Sequence, residues 1–411
     1  MAGLSINLKR LKSRLDKVNE IGKLAGGGVR RLSLTNEDKE VRDLLVSWFD
    51  ELGLDYQLDE MGNMVGVWTN KKGGKPISVG SHLDTVGTGG CFDGSLGVVA
   101  ALEVVQTIQE AGIEPEKPIA VVNFTNEEGV RFTPDMMGSY ALAGLGGVDA
   151  LWNAPAEEDN SLLLKDELER IGYLGEMKCG DYQADSYFEL HIEQGPVLER
   201  EQLTIGAVEK VQGIFWTEYI IKGTANHAGT TPMNLRHDSG FVASKINVFV
   251  RELATDFGGA QVGTVGINDY YPNLINVVPQ QVRMTVDLRN TDKEELVQAQ
   301  ARLDDYVQII CAMEQVDFER KELVRFDPVD FDAEMIDLVE ESARELGHSV
   351  KRMPSGAGHD AQMMAAICPA TMIFIPSKDG ISHNTNEFSN DEDIAAGTNV
   401  LLQAVLKRMK Q

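Results

Sequence analysis

Apolar and polar positions divide this chain into alternating helix-like and strand-like runs. The opening MAGLSINLKRLKSRLDKVNE alternates charged and apolar residues and predicts an amphipathic helix. Thr35-Asn36-Glu37-Asp38 has cap chemistry before the helix-like run EVRDLLVSWFDELG, which ends on Gly53. KPISVGSHLDTV, PIAVVNFTNEEG and SYFELHIEQG predict buried strands, and SLGVVAALEVVQTIQEAG predicts a helix with an apolar face. Alternation of this kind predicts an α/β layered domain whose helices cover a largely parallel sheet.

Near residue 211 the texture changes. TEYIIKGTANH, QVRMTVDLRN and QVDFERKELV predict half-buried strands, with DSGFVASKINVFVRELATDF and KEELVQAQARLDDYVQIICAM as amphipathic helices between them. After residue 328 the chain returns to a helix, the apolar strand ATMIFIPS and a final helix. The expected organisation is a discontinuous catalytic domain, 1–211 and 329–411, carrying a compact α+β insertion, 212–328.

Charge narrows the partners. Acidic residues number 64 against 38 basic, a net charge of −26. Such a field repels a phosphate backbone, so nucleic acid is not expected, and an anionic substrate needs a local positive site. No apolar run is long enough to span a bilayer, and the N-terminus lacks the apolar core of a signal peptide. The four cysteines (Cys91, Cys179, Cys311 and Cys368) form no C-x-x-C pair, which argues against a disulfide framework and for a reducing cytoplasm.

Three of the seven histidines, His82, His191 and His383, stand at or just past the ends of apolar strand-like runs, as do Asp84, Asp93, Glu127 and Glu128. In open α/β sheets sites are built at such ends. A lone histidine there is more often structural, but histidines grouped with carboxylates point to a metal site. On a strand, residues two apart share a face, so Asp84 is placed to orient His82. Asp93 follows a Gly-rich turn and precedes a helix, where it can bind metal, cap the helix or do both. In FTNEEG the two glutamates must point in different directions, leaving one for metal and one as a base. The nitrogen and oxygen donors suit zinc or manganese, with cobalt or nickel also compatible.

The segments GSHLDTV…GGCFDGSLGV, NEEGVRF, ELHIEQGPVLE, NHAGTTPM, LINVVP…DLR, SGAGHDA and GISHN together resemble the aminoacylase/glutamate-carboxypeptidase type of metallohydrolase. More narrowly, they resemble its hydantoinase/carbamoylase branch, in order from about residue 30 to the C-terminus. The resemblance implies a two-metal exopeptidase-like α/β catalytic domain, with helices on both faces of a mixed sheet and an inserted lid and dimerisation domain. It implies that Asp93 bridges two divalent ions, one completed by His82 and His191, the other by Glu128 and His383. Glu127 would be the general base and Asp84 would orient His82. His227 would stabilise the oxyanion, Asn276 and Arg289 would hold a small substrate's carboxylate, and Gln194 would contact its carbamoyl or amide group. His359 would line the pocket or serve structurally. A homodimer is also implied.

In the segment Gly213-Ile214-Phe215-Trp216 an apolar lining fits an amino-acid side chain, although both aromatics can also serve as core. The expected reaction is hydrolysis of N-carbamoyl-L-amino acids to amino acid, carbon dioxide and ammonia. Allantoate hydrolysis is the alternative, followed by an aminoacylase or dipeptidase on the same scaffold. A non-catalytic metal-binding protein is the remaining rival, and it predicts loss of the base or of a ligand. No H-E-x-x-H helix, nucleophile elbow, Walker loop or dinucleotide fingerprint is present.

Overall fold

The computed structural model describes residues 3–69 and 72–411. The chain forms two units, one from Met1–Glu209 with Asp330–Gln411, the other from Lys210–Val329.

The first unit is built on a nine-stranded mixed sheet among the described residues. Its strands are β1 (Asp55–Leu58), β2 (Met64–Trp68), β3 (Ile77–His82), β4 (Ile119–Phe124), β7 (Ser186–Ile192), β8 (Ile205–Val211), β15 (Val329–Asp330), β16 (Val350–Ser355) and β17 (Ala370–Ile375). The order is β1-β2-β4-β3-β7-β17-β8-β15, with β16 also on β8. The centre β4-β3-β7-β17 is parallel, while β1, β2 and β8 join antiparallel. A sheet with antiparallel flanks therefore replaces the largely parallel one read from helix–strand alternation. That alternation reports only the crossovers and is silent on hairpin-joined edges. A small hairpin, β5 (Pro155–Ala156) and β6 (Asp159–Leu163), lies off this sheet.

The central strands are buried along their whole length, which is why they read as unbroken apolar runs. Helices α1 (Leu8–Glu20), α2 (Asn36–Leu52), α3 (Ser95–Glu110), α10 (Ala333–Glu345), α11 (Asp360–Met364) and α12 (Asp391–Arg408) belong to this unit. So do the shorter α4 (Met137–Leu142), α5 (Val148–Trp152), α6 (Leu164–Ile171) and α7 (Val197–Glu201). Helices α3 and α12 press Gly97 and Gly397 on Leu190, whereas α11 donates the Ala361 amide to Glu189, 3.0 Å away. Adjacent strand residues point to opposite faces, so both faces are covered.

Two buried arginines fix the turns after β3 and β4. Arg31 donates to the carbonyls of Leu83, Val18 and Ile21, tying the end of α1 to the turn after β3. Arg42 on α2 pairs with Asp38 at 2.9 Å and reaches Thr125 Oγ1 at 3.0 Å. Helix α2 begins and ends as its sequence predicts, with Thr35 accepting from the Asp38 amide and Gly53 left-handed.

The second unit is a four-stranded antiparallel sheet, β11-β13-β9-β14, with two helices. The strands are β9 (Gly213–Lys222), β11 (Val262–Tyr271), β13 (Gln281–Asn290) and β14 (Asp317–Phe326); the helices are α8 (Ser239–Phe257) and α9 (Lys293–Glu314). Short strands β10 (Asn226–His227) and β12 (Val277–Val278) pair beside them. Phe215, Tyr219, Met284 and Leu288 form one core with Val242, Ile246, Leu296 and Leu303. Trp216 and Arg289 fall on the alternate positions of β9 and β13, so they share the face away from that core. Of the two aromatics at 215 and 216, only Phe215 belongs to that core cluster.

Candidate metal centre

The four parallel strands end on one edge of the sheet, and the site's side chains come from those ends and the loops behind them. His82 is the last residue of β3, and His191 the penultimate residue of β7. Glu127 and Glu128 follow β4, and His383 stands in the loop after β17. Asn126, Gln194 and His383 all have left-handed backbones, with φ near +55°, so the chain reverses sharply at three of these loops.

Asp93 lies at the centre. Its Oδ1 is 3.2 Å from His191 Nε2 and 3.7 Å from His82 Nε2. Its Oδ2 is 3.4 Å from His383 Nε2, which in turn lies 3.2 Å from Glu128 Oε2. Two of the three groups able to hold a cation among the described residues, His82/Asp93/His191 and Asp93/Glu128/His383, have Asp93 in common; the third, Glu189/His191/His359, lacks it. Helix α3 starts at Ser95 with Gly94 as its cap and no capping side chain, so the Asp93 carboxylate is turned to the histidines and not to the helix. Gly94 has φ +61°, and a Cβ there would fall 2.4 Å from the His82 ring. Only glycine lets the chain pass so close to that ring.

Backbone carbonyls orient two of the histidines. His82 Nδ1 donates to the Asp84 carbonyl at 3.0 Å, and His191 Nδ1 to the Ile192 carbonyl at 2.9 Å. Each ring thus turns its Nε2, the atom that would ligate a cation, toward the carboxylates. Asp84 reaches His82 differently from the sequence expectation. β3 ends at His82, so the two residues do not share a strand face, and the Asp84 carboxylate is 4.0 Å from Nδ1. That carboxylate accepts from the amides of Glu127 and Glu128, 3.2 Å each, and so anchors the turn that carries both glutamates.

Electrostatics fit a cation. Burial, then the charges of Asp360, Glu128, Asp93 and Asp84, push Glu127 well above the usual carboxylate range. Burial opposes ionisation of Asp93 too, but hydrogen bonds with His191 and His383 hold it well below its ordinary value. Burial disfavours a charged His191, yet Asp93 carries it up to about 9; hydrogen bonds with Asp93 and Glu128 push His383 up to about 11. Oxygen and nitrogen donors converging on Asp93 form a fitting cradle for divalent metal ions.

Glu127 lies beside this set, its Oε2 3.4 Å from His82 Nε2, and belongs to neither group. Gln194 Nε2 donates to Asp93 Oδ2 at 2.9 Å. His359 is fully buried, its Nε2 3.0 Å from Ser355 Oγ and its ring stacked edge-on 4.6 Å from His191; burial, then the charge of His191, holds its pKa well below the usual histidine value. It packs behind His191.

The remaining candidates belong to the second unit. His227 is exposed, and its Nδ1 accepts from the amides of Gly229 and Thr230, so the proton sits on Nε2. Asn276 adjoins it, its carbonyl accepting from the Ala228 amide. Arg289 donates through Nε and Nη2 to Asp287, two residues back on the same strand face, at 2.9–3.0 Å. A substrate carboxylate at Arg289 must share that guanidinium with Asp287.

Sequence reasoning missed Ser382 and Glu387. The Ser382 hydroxyl lies 3.0 Å from Asp93 Oδ2, and buried Glu387 accepts from the Asp93 amide at 3.1 Å. Their only signal was nearness to His383 within GISHNTNEF.

A sheet edge holding paired histidine–carboxylate groups around one shared aspartate, with a spare glutamate beside them, defines a metal-dependent hydrolase. The chain belongs to Peptidase family M20/M25/M40, which matches residues 79–407. Within it, the chain is 40% identical over 406 residues to an N-carbamoyl-L-amino-acid amidohydrolase of Rhizobium meliloti, covering 98% of this chain and 96% of the relative. It is also 40% identical over 407 residues to the N-carbamoyl-L-amino acid amidohydrolase of Geobacillus stearothermophilus, covering 97% of each. A hydantoinase/carbamoylase family amidase from Burkholderia vietnamiensis superposes with a TM-score of 0.93 at 39% identity, covering 100% of this chain and 99% of that one. No helix among the described residues is long and apolar enough to cross a membrane.

Proposed function

We propose that this protein hydrolyses N-carbamoyl-L-amino acids to the amino acid, carbon dioxide and ammonia, using two divalent ions, zinc or manganese. The observation that carries the two-ion reading is the division of Asp93, one oxygen toward His82 and His191 and the other toward His383 and Glu128. The carbamoyl substrate is supported by the full-length likeness to carbamoyl amidohydrolases. His82, Asp93 and His191 would hold one ion, and Asp93, Glu128 and His383 the other. Bound there, the ions supply Lewis acidity, polarising the carbamoyl carbonyl and acidifying the attacking water.

Glu127 takes that water's proton on its carboxylate and returns it to the leaving nitrogen. The C–N bond to the amino acid breaks, and the carbamic acid released falls apart to carbon dioxide and ammonia. Asp84 holds the Glu127 amide and so fixes where the base stands. His227 carries its proton on the outer Nε2, the form that donates to an oxyanion. Asn276 and Arg289 bind the substrate carboxylate, the arginine offering a cationic fork in an acidic protein. Gln194 spends its amide protons on Asp93 and Ser382 and turns its Oε1, which has no hydrogen-bond partner, to the substrate's NH₂ group. Trp216 contributes apolar surface to side-chain recognition.

The test is ammonia release from N-carbamoyl-L-amino acids, allantoate and N-acetyl-amino acids side by side. The carbamoyl substrates are expected to turn over fastest, with loss of activity on chelation and recovery with manganese or zinc. Free amino acid appearing from the acetyl substrates alone would sink the carbamoyl assignment.

A homodimer through the second unit belongs to the same proposal. Strand β11 is a sheet edge with no fully buried residue, and it exposes Val262, Ile267 and Tyr271 beside Phe241 and Val248 of α8. An unpaired apolar edge of that length is ordinarily covered. Light scattering is expected to give twice the 45.1 kDa chain mass, and a monomer at micromolar concentration would refute it.

A further inference from the structure

We propose that Glu387 is the positioning residue for the bridging carboxylate, setting through the Phe92 and Asp93 amides and the Ser382 hydroxyl where Asp93 holds its two oxygens. The inference rests on the two-ion reading above and adds a residue outside the ligand set. Glu387 is 6% exposed, and its Oε1 accepts from the amides of Phe92 at 2.9 Å and of Asp93 itself at 3.1 Å. Its Oε2 lies 2.9 Å from the Ser382 hydroxyl, which lies 3.0 Å from Asp93 Oδ2. One side chain therefore grips the bridging residue twice, at its backbone and, through a hydroxyl, at one of its carboxylate oxygens.

A second observation shows how closely this contact is built. A Cβ at Gly90 would fall 2.1 Å from the Glu387 carboxylate, so the loop carrying Asp93 lies directly on that group. Asp93 serves two cation groups at once, and a small rotation spoils both. A residue with one acceptor on the backbone and one on the hydroxyl removes that rotation. The hydroxyl has a single proton for two carboxylate oxygens. With an ion and the Gln194 amide, whose Nε2 is 2.9 Å away, both on Asp93 Oδ2, the Ser382 proton would turn to Glu387.

The test is stepwise titration of metal-stripped protein with Mn²⁺ and with Zn²⁺ by calorimetry, alongside thermal unfolding followed by circular dichroism. Glu387→Ala and Gly90→Ala are expected to weaken both ions by about 10–100-fold, the usual cost of losing an outer partner of a ligand. Glu387→Gln keeps an oxygen for the two amides and is expected to restore affinity to near wild type, a rescue that a merely structural role does not predict. Ser382→Ala, which keeps the Glu387 contact with the backbone and covers the case of an unfolded Glu387→Ala, is expected to weaken mainly the ion shared with His383. Folded Glu387→Ala or Ser382→Ala protein with both affinities within twofold of wild type overturns the positioning role, as does a glutamine variant no better than alanine. Wild-type protein that takes up fewer than two ions overturns the two-ion reading instead.

Discussion

Glu127→Gln is expected to lower kcat by about 10²–10⁴-fold, the range a positioned general base contributes, while both ions stay bound. Glutamine preserves the length and planarity of the side chain but cannot accept a proton. The site gives this substitution little else to disturb. Glu127 lies outside both cation groups, and its place is fixed by its own amide, which donates to Asp84. Binding of substrate through other residues is unaffected, so KM should move far less than kcat, the pattern of an interaction used only in the transition state. Steady-state kinetics together with metal analysis of the same preparation make the check. A variant that keeps wild-type kcat refutes Glu127 as the base, and one that loses its ions makes it a ligand.

Asp93→Ala should have the other large effect. Its two oxygens serve different groups, so removing them strips a donor from both and leaves His82, His191, Glu128 and His383 without their common partner. The expected result is loss of both ions and of all activity above background, exceeding the roughly 10–100-fold cost of losing an outer partner. His383→Ala, by contrast, touches only the group it shares with Glu128 and should retain one ion. Elemental analysis after gel filtration distinguishes the two. Equal metal content in both variants would contradict the bridging role.

Much of this centre was legible because its histidines and carboxylates sit where apolar strand patterns give way to polar loops. His82, Glu128 and His191 are the places where buried β3, β4 and β7 end or run out, and periodicity finds such points without any structure. What periodicity cannot find is how a chain turns after the strand stops. Asp84 was assigned to the face of His82 by strand alternation, but β3 ends two residues before it, and the Asp84 carboxylate turns to the two glutamate amides instead. Glu387 was invisible for a related reason, since nothing local links it to an amide 294 residues earlier in the chain. In the second unit, β9, β13 and β14 were readable from half-burial, whereas β11 was not. It is an edge strand with no fully buried residue; its half-buried face, with Val265 and Tyr270 on the core, includes Gly263 and slips at a bulge between Val265 and Ile267, where Gly266 sits, which breaks up the alternation.

The place of β17 has a consequence for how the chain must be made. It lies inside the sheet, parallel to β7 and antiparallel to β8, yet it is translated roughly 160 residues after β8. At 5–20 residues per second that interval lasts about 8–30 s. Throughout it, β7 and β8 wait on the ribosome with facing edges unpaired, while the contiguous second unit is completed and free to fold. The donors of the first cation group are all present by residue 191, but His383 follows 192 residues later. Nascent chains stalled before β17 should therefore present an open sheet edge to chaperones, and ion uptake should follow the order of synthesis, the His82–His191 group first and the His383 group later.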